Sequence, residues 1–206
     1  MPQKKVWNEK EHDMAKKEWH PGNMLYPLPA VLVTTRNREG KDDICTVAWT
    51  GTICSDPAML SISLRKSRLS YTYVRETGVF VVNLTTETLA HATDFCGVRS
   101  GRDIDKFEAE HLEREEASHI SCAMVAESPV NIECRVTESK DLGSHTIFLA
   151  EVLAVHVDDR YMDENEKFDL NLARPIVYSH GEYLATGKKL GTFGYSVRKK
   201  KGRRRA

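Results

Sequence analysis

ICTVAWTGTICSDPAMLSISLRKSRLS, residues Ile44 to Ser70, is the stretch on which the fold turns. It reads as a strand, a turn, a second strand and the start of a helix. The first strand runs from Ile44 to about Cys54 and is rich in small and hydroxyl residues: Thr46, Ala48, Thr50, Gly51 and Thr52. Ser55-Asp56-Pro57 supplies the turn. Met59 to Leu64 forms the next strand, and Arg65-Lys66-Ser67-Arg68 opens a helix with Ser67 as its expected N-cap. A basic, hydroxyl-rich helix start beside a strand that a flat ring can approach points to a planar ligand bearing a phosphate. Helix-start N–H groups are free to bind an anion. Ser67 would cap, Ser70 would bond the anion, and Arg65, Lys66 or Arg68 would supply charge. The same residues also suit an ordinary capped helix with a solvated basic turn, and spacing alone does not choose between the two.

Working outward, Tyr26-Pro27-Leu28-Pro29 is a stiff, extended lead into Ala30–Thr35 (AVLVTT), a β-branched run that reads as a strand buried on both faces. Residues 37–41 make a hairpin turn, with Gly40 free to take positive φ. The three strands so far are expected to form an antiparallel meander. Downstream, Gly78 ends the helix begun at Ser67, and Val79–Leu84 (VFVVNL) is a strand. Thr85 or Thr86 caps a helix running through Leu89 toward Phe95, which Cys96-Gly97 stops. Ser100–Phe107 is a loop, and Glu108–Ser118 is charged surface. In Pro129–Glu138, Val130, Ile132, Cys134 and Val136 share one face of a half-buried strand. Ile147–Val157 reads as a strand in preference to a helix because of its β-branched content. An acidic loop, Asp158–Asp169, precedes a short strand, Ile176–Ser179. Six or seven strands with interspersed helices predict a mainly β chain: a small barrel with helical decorations. The strands do not alternate regularly with helices and no GxGxxG occurs, which argues against a doubly wound sheet.

At 206 residues the chain suits one domain. No segment approaches the roughly 20 apolar residues of a membrane span. The start, MPQKKVWNEKEHD, lacks the apolar run of a secretory signal, so a cytoplasmic location is expected. The five cysteines, Cys45, Cys54, Cys96, Cys122 and Cys134, are odd in number and form no CxxC, so they read as small core residues. The eight histidines make no HxH or HExxH, and no metal site is expected. The net charge of zero hides an asymmetry. The last nine residues hold seven Lys or Arg; without them 23 basic residues face 30 acidic ones, a net of −7. Such a tail can bind a polyanion, but no aromatic residues are interleaved to stack on bases. The division expected is an N-terminal extension (1–23), a barrel domain (24–197) and a basic tail (198–206).

The order AVLVTT, ICTVAWTGTICSDPAMLSISLRKSR, GVFVVNL, TDFCGVRSGRDIDKF, ESPVNIEC, LGSHTIFLAEV and YSHGEYL resembles the flavin reductase-like, flavoredoxin-type family, from about residue 24 to about residue 197. The resemblance implies an FMN-binding split β-barrel of Greek-key type. It implies noncovalent FMN, homodimers with flavin sites near the subunit interface, and electrons passed from NAD(P)H or a redox partner to an acceptor. By that likeness Thr46, Val47, Ala48, Trp49, Thr50 and Gly51 would line the isoalloxazine. Ser63, Leu64, Arg65, Lys66, Ser67, Arg68 and Ser70 would hold the ribityl phosphate, with Asn83 near the ribityl chain or ring. Cys96, Ser100, Gly101 and Lys106 would belong to the segment closing over the site, and His145 would sit near the flavin face. The hydride chemistry would be the flavin's own. Two rival readings are an electron carrier that never meets NAD(P)H, and a noncatalytic barrel using its basic tail to bind nucleic acid.

Overall fold

The computed structural model describes residues 16–198. Strands β1 (Leu28–Pro29), β2 (Val31–Arg36), β3 (Asp42–Val47), β4 (Thr50–Ser55) and β5 (Ala58–Arg65) come first. Helix α1 (Leu69–Thr77), β6 (Val79–Leu84), helix α2 (Ala90–Val98) and the one-turn α3 (Lys106–Ala109) follow. Then come β7 (Arg114–Glu116), β8 (Ala123–Val125), β9 (Val130–Asp141), β10 (His145–Val157), β11 (Ile176–Ser179) and β12 (Glu182–Ala185). A seven-stranded antiparallel sheet in the order β3-β2-β6-β9-β10-β5-β4 curls into a barrel. Two small sheets flank it, β1-β11-β12 and β7-β8. Among the described residues no helix is long and apolar enough to cross a membrane.

The expected Ile44–Cys54 strand divides in two. β3 pairs with β2 and β4 pairs with β5, so Ala48-Trp49 carries the chain from one edge of the sheet to the other. The meander is therefore replaced by two hairpins joined across the barrel. A bond from Ser63 N to Trp49 O of 2.9 Å extends the β4–β5 pairing one step beyond Thr50. Leu64 and Arg65 lie beyond the reach of β4, and β3 pairs only on its β2 side. This is the split in the barrel, and it bares strand-edge backbone groups on both sides.

Every second residue of these strands points inward. Val31, Val33, Cys45, Val47, Leu60, Ile62, Phe80, Val82 and Phe148 fill the barrel together with Val74 of α1. The opposite faces of β2 and β3 are covered by α2, α3 and β8, where Leu32 and Ile44 meet Ala92, Cys96, Phe107 and Val125. That covering layer explains why β2 is apolar on both faces. It also corrects the reading of β9 as half-buried. Asn131 and Glu133, on the face opposite Cys134, are buried too.

Other boundaries move for local reasons. α1 begins at Leu69, with Arg68 rather than Ser67 at the N-cap and no side chain bonding the helix start. Gly78 ends it at φ 72°, as expected. α2 does not stop at Cys96-Gly97. It continues to Val98, and Gly97 packs its bare Cα against Thr46, where a Cβ would come within 3.2 Å. Neither Thr85 nor Thr86 caps it; the Thr86 hydroxyl lies against that of Thr88, and Thr85 donates to Ala30 O. In the charged 108–118 segment Leu112 is buried and 114–116 form β7. By sequence, Asp13–Trp19 could form a short helix; of that stretch, residues 16–19 are non-helical. The rest of that stretch, and the basic tail beyond Arg198, lie outside the described residues.

Candidate functional site

Two adjoining cavities open at the split. The larger, about 310 Å³, is floored by Thr46, Val47 and Ala48 on one side of the gap and by Ser63 and Leu64 on the other. The smaller, about 170 Å³, lies toward the start of β3 and α1, and the two share Cys45, Arg65 and Arg68.

The smaller cavity is a cation cradle. Arg65, Arg68, Arg99 and Lys106 line it with the hydroxyl residues Ser67 and Ser100, against the single carboxylate of Asp43. Tight local bonds fix it. Arg68 donates to Gly97 O at 2.6 Å and Arg102 donates to Ser67 O at 2.9 Å, tying the β5–α1 loop to the last turn of α2 and the segment after it. Lys106, 4% exposed, places its Nζ 2.9 Å from Asp43 Oδ1. The Ser70 hydroxyl donates to the other Asp43 oxygen. Asp43 is thereby neutralised, leaving three arginines and the start of α1 for an incoming anion.

The larger cavity is a slot. Trp49 and His145 stand together at one side, their rings nearly parallel at 7° and 6.1 Å apart. His145 shares a hydrogen bond of 2.8 Å with the Ser144 hydroxyl. Burial, and then the neighbouring Arg65 guanidinium, hold the His145 imidazole below its usual range, favouring its neutral form. Asp94, Gly97 and Val98 of α2 and Tyr178, Gly181 and Tyr183 of the β11–β12 hairpin also line the slot.

Of the residues named from sequence, the structure brings Thr46, Val47, Ala48, Trp49, Ser63, Leu64, Arg65, Arg68 and His145 to the slot, and Ser67, Ser100, Gly101 and Lys106 to the cradle. Six stand elsewhere or only behind it. Thr50 and Gly51 face a third cavity outside the β4 edge. Lys66 pairs with Asp141 at 2.8 Å on the outer surface. Ser70 supports Asp43 from behind. Asn83, two strands from the split, is a core group. It donates to Leu32 O and accepts from Val125 N and Asn131. Cys96 is fully buried under α2 and lines neither cavity. Burial pushes its thiol up to about 12, leaving it a protonated core residue rather than a reactive one. The sequence reading missed Asp94 and Tyr183. TDFCG and HGEYL were recognised as motifs, but nothing local said that a helix and a distant hairpin meet over one slot.

A slot at the split of the barrel, joined to a cation cradle, has the form that a flat ligand carrying a phosphate would need. Residues 23–187 match the flavin reductase like domain, and the chain belongs to that family. The fold is similar to that of flavoredoxin of Desulfovibrio vulgaris (Miyazaki F), with a TM-score of 0.83 and 28% identity over 89% of this chain and all of that one. It is also similar to flavoredoxin from Methanosarcina acetivorans, with a TM-score of 0.79 and 26% identity over 89% of this chain and all of that one. An uncharacterized protein of Archaeoglobus fulgidus is 29% identical over 79% of this chain and 89% of its own length. The cavities fit FMN in kind: a flat slot with edge backbone groups for the ring and a cation-rich pocket at one end for the phosphate.

Proposed function

We propose that this protein is an FMN-dependent oxidoreductase, passing electrons from NAD(P)H or a redox partner through bound flavin to an acceptor, and that it works as a homodimer in the cytoplasm. The observation that carries the reading is the excess of cations in the cradle at one end of the slot. Arg65, Arg68 and Arg99 would hold the phosphate, helped by the Ser67 and Ser100 hydroxyls. Thr46, Val47 and Ala48 would approach one face of the ring. Once bound, flavin supplies hydride and electron transfer itself. The protein's part is to orient the ring, exclude water from one face, and keep a neutral His145 beside it.

The test compares ligands with and without phosphate. Arg65→Ala combined with Arg68→Ala should weaken FMN binding at least tenfold, given about 1.5–3 kcal/mol for each hydrogen bond to a charged group. Riboflavin binding should change little. Equal losses for both ligands would sink the phosphate assignment. Similarity to flavoredoxins favours a second reading, a carrier that does not oxidise NAD(P)H directly. Anaerobic mixing of the FMN-loaded protein with NADH or NADPH separates the two: the reductase bleaches the flavin and the carrier does not.

A further inference from the structure

The β11–β12 hairpin brings a phenol to the slot and holds it there. Tyr183 pairs with Tyr178 in the hairpin register, and their rings meet edge-on at 5.8 Å. Tyr178 in turn packs against Tyr26 at 6.1 Å, on the segment leading into β1. Tyr183 thus faces the slot with its ring braced from behind. Gly181, at φ +87°, makes the turn between the two strands and also lines the slot.

Asp94 faces the same slot from α2. It is the only acidic side chain among the lining residues of the larger cavity, where Arg65 and Arg68 supply the positive charge. β3 gives the direction along the site. Asp43 lines the cradle, Cys45 lines both cavities, and Thr46 and Val47 line the slot. The Thr46 hydroxyl bonds Thr93 O, which places Asp94 beside the slot portion of β3. Tyr178 opposes Leu28 in β1, which leads into Ala30, another slot residue. The Asp94–Tyr183 corner therefore lies at the end away from the cradle. Burial, and then the Asp94 carboxylate through its charge and a hydrogen bond with the phenol, push the Tyr183 hydroxyl up to about 12, so it stays a protonated donor beside Asp94. A carboxylate only accepts. Acceptor and donor side by side match an imide edge, an N–H flanked by carbonyls.

We infer that Asp94 and Tyr183 recognise the pyrimidine edge of the flavin ring: their mutual hydrogen bond is exchanged on binding, Asp94 accepting from the ring N3–H and Tyr183 turning its O–H to a flanking carbonyl. This rests on the flavin reading above and adds to it the residues that read the ring's polar edge. The opposite side, with Trp49 and His145 stacked, is left to the ring's apolar edge.

The test uses a ligand altered at one atom. The full-length apoprotein is titrated with FMN and with N3-methyl-FMN, following flavin fluorescence. Wild type should bind the methylated flavin about tenfold more weakly, the loss of one hydrogen bond to a charged acceptor. Asp94→Ala should weaken FMN to a similar degree and leave N3-methyl-FMN nearly unchanged, so that the preference falls to about one. Asp94→Asn keeps an acceptor oxygen and should retain part of the preference. Tyr183→Phe should weaken both flavins alike, since both keep the carbonyl. An undiminished preference in Asp94→Ala, or none in wild type, overturns the assignment of Asp94. Unchanged FMN affinity in Tyr183→Phe overturns that of Tyr183. Wild type that takes up neither flavin overturns the flavin reading itself, a result distinct from the others.

Discussion

A Cβ placed on Gly101 would stand 2.0 Å from Asp43 Oδ1 and 3.2 Å from a Leu69 methyl group. The carboxylate cannot swing aside cheaply, because Lys106 and Ser70 hold its two oxygens in a site buried from water. Gly101 is thus required by close approach to a buried charge, not by backbone conformation. Gly101→Ala should lower stability by about 1–3 kcal/mol, the usual cost of overpacking a closed site. It should also weaken FMN more than riboflavin, because Asp43, Lys106 and Ser100 share the cradle. Urea denaturation and paired titrations check both halves. Wild-type stability in the alanine variant would mean that the Asp43 pocket yields more readily than its contacts indicate.

At the scale of elements, legibility followed the range of the interactions. β2, β6 and β11 were readable because β-branched runs bounded by turns need no distant partner to become strands. The cradle was half readable, since RKSRLS announces a basic helix start, while Arg99 and Arg102 arrive from the far side of α2. The break at Ala48-Trp49 was not readable. The backbone remains extended on both sides of it and only the pairing partner changes, which is set by the whole sheet. Glu133 was hidden for a similar reason: on a strand of alternating character it occupies the face expected to be solvated. There it is fully buried, accepting from Ser118 N and His119 N at 2.8 Å each and facing His156 Nε2 at 2.6 Å. It pins the β7–β8 connection to the barrel. Burial alone would raise its pKa, but the bonds from His156 and from the two backbone N–H groups outweigh it and hold the carboxyl below the usual glutamate range. A lowered folded value means that this stabilisation is complete above the unfolded glutamate pKa and is lost as pH falls through the folded one. Glu133→Gln should therefore lower Tm at neutral pH and flatten the fall in Tm on acidification, relative to wild type. Parallel Tm curves for the two proteins would show that Glu133 contributes no acid sensitivity.

At the scale of the whole molecule, one face of the described residues carries a cluster of exposed apolar side chains. Met24, Leu25, Trp49 and Ile53 are all exposed, and they line a cavity of about 560 Å³ outside β4, the last strand of the large sheet. An apolar patch beside an unpaired strand edge invites association unless a specific partner covers it. A second copy of the chain is the partner that the proposed homodimer supplies. This cavity shares Ala48, Trp49 and Ser63 with the flavin slot, so the partner would lie against the wall of the site. Two outcomes are then linked. Light scattering should give twice the mass of one chain, and Ile53→Asp should return it to the single-chain mass by placing a charge in the apolar contact. The same variant should bind FMN more weakly although residue 53 lines neither the slot nor the cradle, because Trp49 loses its outer support. A wild-type protein with the mass of one chain at every concentration would refute the dimer. A dissociated Ile53→Asp variant with unaltered FMN affinity would keep the dimer but separate it from the flavin site.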